Sequence, residues 1–253
     1  MLAWRILKPL RPILAILTGY LALVAVMYFR QRSMLFFPTH NARPTTSLWP
    51  WQDEGHVIGY CHEVANPDTI WLMLHGNGGQ AADRDHALHC LPGQDSLYVL
   101  EYPGYGLREG HPSRETLNQA AVEAYHRLRT QHPKAAVCVI GESLGSGPAC
   151  ALAAANPPPD KIVLLAPFDV LARVASRRFP FLPVRLLLRD AWDNVQALKD
   201  YRGPVEIFAA LNDQVIPVEH ARALAEQVPG ARLTIFPGGH TDWSDSEQVK
   251  IRR

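Results

Sequence analysis

The chain has 253 residues, of which 47% are hydrophobic and 19% are charged. This length suits one folded domain with an appendage, and the composition excludes a globally disordered chain. The formal net charge of +1 is too close to neutral to indicate a nucleic-acid-binding protein, so no nucleic-acid partner is expected.

The N-terminal part of the chain is a long apolar segment. Residues Pro12–Phe29 include no charged side chain, and Arg11 and Arg30 close the segment at its two ends. As a helix rising about 1.5 Å per residue, it would extend over about 27 Å, close to the hydrocarbon thickness of a bilayer. The segment therefore has the length and composition of a single membrane span.

A cleaved signal peptide and a buried core helix are the two alternatives for this segment. Basic residues, rather than a small-residue cleavage site, follow it, and it has no polar face. We therefore predict a membrane anchor over residues 1–33 and a separate domain over residues 34–253. The basic residues flanking the span are nearly balanced: Arg5, Lys8 and Arg11 before it, Arg30, Arg32 and Arg43 after it. The free amino terminus favours an N-terminus inside the cytoplasm, with the domain outside a bacterial inner membrane.

Short apolar runs alternate with longer helical patterns through the rest of the chain. The runs predicted as buried strands are Ile70–Leu74, Leu97–Glu101, Ala135–Ile140, Lys161–Leu165, Val205–Ala209 and Leu233–Phe236. The predicted helices are Ser113–Thr130, Leu144–Ala155 and Pro217–Gln227. This alternation predicts an α/β fold with a mostly parallel sheet covered by helices on both faces. Val57–Val64 is predicted as an earlier antiparallel strand, and Pro38–Pro50 as an irregular linker.

A G-x-S-x-G motif, residues 141–145, joins one predicted strand to a helix of small residues. A serine on so sharp a turn needs small neighbours two positions away on either side, so that the strand and helix backbones can approach. The turn also presents Ser143 at a helix N-terminus, which favours developing negative charge. The motif predicts that Ser143 is a nucleophile; the alternative is a glycine-flanked serine at a helix start.

Two further polar residues each follow a predicted strand. Asp213 comes after Val205–Ala209, and His240 comes after the last strand. The carboxyl ends of parallel strands meet at one edge of a sheet, where chemistry gathers. The order Ser, Asp, His along the chain is that of a hydrolase triad, in which His240 takes the serine proton and Asp213 orients the imidazole. Taken separately, Asp213 could be a helix N-cap and His240 a turn residue.

The loop His75–Gly79 follows the strand Ile70–Leu74 and is rich in glycine. Stabilising an oxyanion takes one backbone N–H from the residue after the nucleophile and a second from such a loop. We predict the N–H groups of Leu144 and Asn77 as these donors, with Gly78 the nearest alternative to Asn77. No Lys-Ser/Thr pair follows the glycines, which excludes a phosphate-binding P-loop. The residues expected to contact the substrate are Gly76, Gly78, Tyr102 and Phe168.

Together these motifs resemble α/β-hydrolase-domain proteins that carry an N-terminal membrane anchor. The resemblance extends over about residues 34–243 and includes HGNGG, EYPGYG, GESLG, PFLPV, LNDQVIP and GGH. It implies a Ser143, Asp213 and His240 triad with oxyanion donors at Asn77 and Leu144. It also implies an ester, thioester or lysophospholipid substrate and no cofactor. In relatives, the acidic residue and the tyrosine are often followed by Arg or Ser and then Gly. This chain has Pro103 in place of the Arg or Ser.

About 40 residues separate the predicted strands Lys161–Leu165 and Val205–Ala209, too few for a large cap domain. Within them, Leu171–Arg189, which we call the lid segment, mixes apolar residues with arginines and has no acid. Its arginines are Arg173, Arg177, Arg178, Arg185 and Arg189. This composition is typical of a segment lying on an anionic membrane surface, which predicts that it guides acyl chains from the bilayer to Ser143. The alternative is a solvated basic face over a packed apolar one.

Cysteine and histidine usage adds little to this picture. A Cys61–Cys90 disulfide is possible, and His86, His89 and Cys90 do not form a convincing metal site, so no metal is expected. Arg84 and its acidic neighbours are predicted as a solvated helix face, while Glu142 either tunes the pocket or faces outward.

The sequence therefore predicts a serine hydrolase with an acyl or lipid-like small-molecule substrate, in contact with membrane lipids. A serine peptidase with the same machinery and a non-catalytic membrane scaffold are the alternatives. The oligomeric state is left open.

Overall fold

The computed structural model describes residues 10–42 and 44–253. Three residues of the N-terminal charge count, Arg5, Lys8 and Arg43, lie outside this part of the chain. The α-helices within it are α1 (Leu10–Leu35), α2 (Arg114–Gln131), α3 (Ser146–Ala151), α4 (Leu171–Arg178), α5 (Val184–Leu187), α6 (Asn194–Leu198) and α7 (Val218–Gln227). Short 3₁₀ helices cover Ala81–Cys90, Ser143–Gly145, Leu152–Ala154 and Asp242–Asp245.

The strands form one large sheet and one small pair. They are β1 (Phe37–Pro38), β2 (Trp49–Asp53), β3 (His56–His62), β4 (Thr69–Leu74), β5 (Gly78–Gly79), β6 (Ser96–Leu100), β7 (Ala136–Glu142), β8 (Ile162–Leu165), β9 (Val205–Ala210) and β10 (Arg232–Phe236). Eight of them make a sheet in the order β10-β9-β8-β7-β4-β6-β3-β2. Within this sheet β3 alone is reversed: it pairs antiparallel with β2 and with β6, and every other pair is parallel. β1 and β5 pair separately and in parallel.

The predicted α/β architecture is confirmed, including the antiparallel strand near Val57–Val64. Two predicted elements differ from the structure. The helix predicted at Leu144–Ala155 is α3 with a 3₁₀ turn at each end, rather than one continuous α-helix. The linker predicted over Pro38–Pro50 is partly wrong, because β2 begins at Trp49. β2 is an edge strand, the position in a sheet where a proline such as Pro50 is tolerated.

Two hydrophobic clusters lie on the two faces of the sheet. In β4, Ile70, Leu72 and Leu74 point into one cluster, which also holds the buried sides of α2 and α7, while Trp71 and Met73 point into the other. Cys61 belongs to the first cluster and Cys90 to the second, and both are free thiols. The possible Cys61–Cys90 disulfide is therefore absent, because the sheet separates the two sulfurs.

Helix α1 covers the predicted membrane span. It is the one helix in residues 10–42 and 44–253 that is long and apolar enough to cross a membrane, although a signal sequence can have the same length and composition. Its most apolar stretch is not buried, and Ile16 and Phe29 are 73% and 79% exposed. A core helix would bury these side chains, so the exposure argues against that alternative.

Candidate active site

Ser143 stands on a strained turn at the carboxyl end of β7. The strand ends at Glu142, a 3₁₀ turn covers Ser143–Gly145, and α3 follows directly. Ser143 has a φ of +50°, in the left-handed region that a residue with a Cβ adopts only at a cost. The turn lifts the serine side chain out of the strand direction and holds it at the end of the sheet.

The two glycines of the motif are sterically required. A Cβ on Gly145 would lie 2.0 Å from the carbonyl oxygen of Leu74 at the end of β4. A Cβ on Gly141 would lie 2.6 Å from Cβ of Ala149 in α3. The predicted reason for both glycines, a close approach of strand and helix backbones, is confirmed by these distances.

Ser143, Asp213 and His240 come together although they are far apart in the sequence. His240 Nε2 lies 2.8 Å from Ser143 Oγ, and His240 Nδ1 lies 2.6 Å from Asp213 Oδ2. With the proton on Nδ1, the imidazole donates a hydrogen bond to the carboxylate, and its Nε2 accepts a hydrogen bond from the serine hydroxyl. This arrangement can move a proton from the hydroxyl to the ring while the carboxylate stabilises the imidazolium.

The Asp213 carboxylate is fixed by its own loop. Its second oxygen, Oδ1, accepts hydrogen bonds from the N–H groups of Val215 and Ile216, both at 2.8 Å. Its side chain is almost fully buried, at 1% exposure. The carboxylate therefore has one oxygen left for His240, which determines the orientation of the ring.

A polar network that the sequence did not indicate lies behind Ser143. Ser146 Oγ donates to the Ser143 carbonyl at 2.7 Å, and Asn194 Nδ2 reaches both Ser146 Oγ (3.1 Å) and the Phe168 carbonyl (2.8 Å). Asn194 comes from α6, beyond the lid segment, and is fully buried. This network ties the strained turn to the loop after β8.

The side chain of Asn77 is held by the end of α1. Its Nδ2 donates to the Leu35 carbonyl at 2.5 Å, and its Oδ1 accepts from Phe37 N and from the Tyr105 hydroxyl, each at 3.0 Å. The loop that carries the predicted oxyanion donor is thereby attached to the last residue of the apolar helix. Donation by the Asn77 and Leu144 N–H groups stays a prediction.

A buried ion pair clamps the backbone on both sides of Asn77. Glu142 Oε2 accepts from Gly76 N at 2.9 Å and from Arg84 Nε at 2.7 Å, and Arg84 Nη2 donates to the Gly78 carbonyl at 2.7 Å. The prediction that Arg84 lies on a solvated face is wrong, because its side chain is 10% exposed. Glu142, for which an outward orientation was an alternative, points inward and is equally buried.

The charge state of Glu142 follows from its neighbours. Burial raises the pKa of its carboxyl, but the Arg84 guanidinium, the Gly76 N–H and His75 outweigh burial and lower the pKa below its ordinary value. Glu142 is therefore a carboxylate at neutral pH, and its partner Arg84 is a guanidinium. The pair can hold the loop without a buried uncompensated charge.

The predicted substrate contacts divide into two groups. Tyr102 and Phe168 are fully buried, and the Tyr102 hydroxyl donates to the His75 carbonyl at 2.9 Å, so the structure does not put either side chain at a substrate surface. The Gly76 N–H donates a hydrogen bond to the Glu142 carboxylate. A Cβ on Gly78 would meet no atom within 4 Å, so Gly78 borders open space. Sequence position at a strand end cannot distinguish a core aromatic residue from a pocket aromatic residue.

No cluster of three or more metal-ligating side chains exists among the residues described. Of the three residues considered for zinc, His86 packs its ring against Trp243, with ring centroids 5.1 Å apart. The thiol of Cys90 lies 3.8 Å from the Ser244 carbonyl. Both contacts are ordinary packing of a folded domain.

Comparison with known proteins gives relatives across most of the chain. An uncharacterized protein of Mycobacterium tuberculosis is 29% identical over 235 residues, which cover 87% of this chain and 83% of that protein. α/β-Hydrolase domain-containing protein 17C of Xenopus laevis is 29% identical over 205 residues, covering 77% of this chain and 64% of that protein. No protein-family profile matches the chain.

Among solved structures, the esterase Pf2001 of Pyrococcus furiosus has a similar fold. The TM-score is 0.63, with 15% sequence identity, and the match covers 83% of this chain and 95% of the esterase. The sheet order and the turn at Ser143 agree with this likeness. The chain therefore has the α/β-hydrolase fold, and its sequence is similar to that of α/β-hydrolase domain-containing proteins.

Gly145→Ala is expected to destabilise the protein, because the new Cβ would clash with the Leu74 carbonyl. A backbone shift of this kind costs about 1–3 kcal/mol, which lowers Tm by about 2–10 °C in a chain of this size. Thermal unfolding in detergent measures the effect. Gly93→Ala is the matched control, because its Cβ would meet nothing within 4 Å. Equal Tm values for the two variants would contradict the steric account.

Arg84→Met is expected to cost about 3–5 kcal/mol, because it leaves the Glu142 carboxylate buried without its cation. The double variant Arg84→Met, Glu142→Gln buries no charge and should recover more than half of that loss. Urea unfolding at pH 7 measures both.

The pH dependence of the same pair gives a second readout. Since the folded-state pKa of Glu142 is lowered, its contribution to stability is present above the unfolded-state pKa and is lost as the pH falls through the folded-state pKa. The stability difference between wild type and Glu142→Gln should therefore shrink in acid. A difference that grows as the pH falls would contradict the ion-pair account.

Proposed function

We propose that this chain is a serine hydrolase that cleaves an ester or thioester of an acyl or lipid-like substrate. The reaction would pass through a covalent acyl-enzyme on Ser143. The observation that carries the proposal is the position of His240, whose two ring nitrogens lie 2.8 Å from Ser143 Oγ and 2.6 Å from Asp213 Oδ2. An esterase among the proteins of similar fold supports the same reaction class.

In the acylation step, Ser143 Oγ attacks the carbonyl carbon of the substrate and its proton passes to His240 Nε2. The tetrahedral intermediate collapses as the bond to the alcohol or thiol breaks, and the leaving group takes the proton from His240. Water then gives a proton to His240 and attacks the acyl carbon. The carboxylic acid departs and Ser143 Oγ recovers its proton. Asp213 stays ionised and stabilises the imidazolium in both halves.

The developing oxyanion needs donors that are in position before the reaction. We propose the N–H groups of Leu144 and Asn77 for this role. Leu144 follows the nucleophile in the 3₁₀ turn at the start of the α3 region, where free N–H groups favour negative charge. Asn77 lies between two glycines whose backbones the Glu142–Arg84 pair holds. No cofactor or metal takes part in this scheme.

The proposal includes anchoring to a membrane by α1, with the hydrolase domain, residues 34–253, outside the cytoplasm. Its support is the length and exposure of α1 and the absence of a cleavage-type sequence after it. A membrane-bound hydrolase meets acyl substrates at high local concentration. Membrane lipids are therefore proposed as partners of the chain.

A fluorophosphonate probe tests the proposed chemistry, because it reacts with a serine only when a neighbouring base activates the hydroxyl. Wild-type protein is expected to be labelled, Ser143→Ala to be unlabelled, and the exposed control Ser33→Ala to be labelled as wild type. A panel of acyl esters, thioesters, lysolipids and peptides then separates an esterase from a peptidase. Absence of labelling in folded wild-type protein would favour a non-catalytic scaffold and end the proposal.

A further inference from the structure

The second half of α1 is bonded along its length to the lid segment. The Tyr20 hydroxyl donates to the Phe181 carbonyl at 3.0 Å, and Gln31 exchanges hydrogen bonds with the Leu187 carbonyl (3.2 Å) and with Arg189 N (2.8 Å). Arg189 also lies over the Tyr28 ring, 5.9 Å from its centroid. The apolar helix and the lid segment are therefore neighbours over several turns.

An ion pair marks where this contact meets the domain. Arg32 donates to both carboxylate oxygens of Asp190, at 2.8 and 3.2 Å. Asp190 also accepts from Arg114 N at 2.8 Å, and its side chain is 4% exposed. Arg32, at the end of the helix, is thereby fixed to the folded domain.

The contacts along α1 keep the lid segment beside the helix over a long distance. Tyr20 precedes Arg32 by twelve residues, which is about 18 Å along a helix. With α1 in a bilayer, apolar side chains of the lid segment would face lipid. Phe181 is 55% exposed and Leu186 is 86% exposed. Such exposure is costly in water and favourable in lipid.

Between α1 and the lid segment runs an open, mostly apolar groove. Its lining includes Met27, Met34 and Leu35 from α1, and Ala175, Phe179 and Leu187 from the lid segment. Methionine side chains are flexible and adapt to chains of different shape. The groove is therefore suited to a flexible hydrocarbon rather than to one rigid ligand.

One end of the groove lies beside the active-site loop. Leu35 lines the groove, and its carbonyl accepts the hydrogen bond from Asn77 Nδ2. Asn77 carries one of the proposed oxyanion donors. A chain lying in the groove would thus point its carboxyl end towards the loop that stabilises the reacting carbonyl.

Positive charge surrounds the apolar surface of the lid segment. Arg177, Arg178, Arg185 and Arg189 are exposed, and residues 171–189 contain no acid. Arginine pairs well with phosphate oxygens and is attracted to anionic leaflets. This charge selects a lipid with an anionic headgroup as the occupant of the groove.

We propose that the groove between α1 and the lid segment binds one acyl chain of an anionic membrane lipid and leads it from the bilayer to Ser143. The anchor is then half of the substrate channel as well as a tether. The inference rests on the proposed function for the cleavage of the lipid and for the membrane position of α1. Binding of the chain in the groove needs no reaction at Ser143.

Photocrosslinking tests the binding. Full-length Ser143→Ala protein is placed in phosphatidylcholine nanodiscs containing phosphatidylglycerol with a diazirine in one acyl chain. Cross-links are expected on Met27, Met34 and Phe179, and Met27→Trp should reduce them at least about fivefold by filling the groove. Val26→Trp is the matched control, because Val26 is 58% exposed and outside the groove, and it should leave them unchanged.

Several results would overturn the proposal. They are cross-links spread evenly around α1, cross-links only to a second copy of the chain, or equal labelling by a diazirine phosphatidylcholine. The last of these would remove the role of the arginines. Labelling of the groove by phosphatidylglycerol supports the inference even if the wild-type protein hydrolyses nothing, in which case the proposed function alone fails.

An activity measurement completes the test in the wild-type background. Met27→Trp is expected to lower kcat/KM for p-nitrophenyl palmitate at least about tenfold and to leave p-nitrophenyl butyrate within about twofold, since only the long chain needs the groove. Val26→Trp should match wild type on both esters. An equal loss on both esters in Met27→Trp would contradict a chain-binding groove.

Discussion

The close approach of the backbone after Ser143 to the end of β4 is the constraint on which the rest of the site depends. Gly145 packs against the Leu74 carbonyl so tightly that even a methyl group has no room. This contact makes the turn sharp and holds Ser143 at φ +50°. It also brings the loop after β4, with Asn77, next to the loop that carries Ser143. Ser143 and the predicted oxyanion loop are neighbours because these two backbones touch.

Much of the fold and of the site geometry could be predicted from the sequence, because strong local signals specify them. Buried parallel strands are continuous apolar runs, so β4 and β7 were predicted within two residues at each end. Residues directly after such strands must meet at one edge of the sheet. That rule brings Ser143, Asp213 and His240 together, as the hydrogen bonds through His240 do in the structure.

Other features depend on long-range packing and leave no local signal. Arg84 lies in a run of charged residues typical of a solvated helix, and only the tertiary fold buries it against Glu142. Asn194 belongs to a short helix with no motif, yet it supports the turn through Ser146. Tyr102 follows a strand as a pocket residue would, but its ring packs on His75 in the core, with centroids 4.3 Å apart.

The central claim is that Ser143 carries a covalent acyl group during turnover, and rapid-quench mass spectrometry tests it most directly. Wild-type protein mixed with p-nitrophenyl butyrate and quenched in acid within milliseconds should contain a butyryl adduct. After proteolysis, the adduct should map to the peptide with Ser143. An adduct on another residue would contradict the account. A burst of p-nitrophenol without any acyl adduct on the protein would also contradict it.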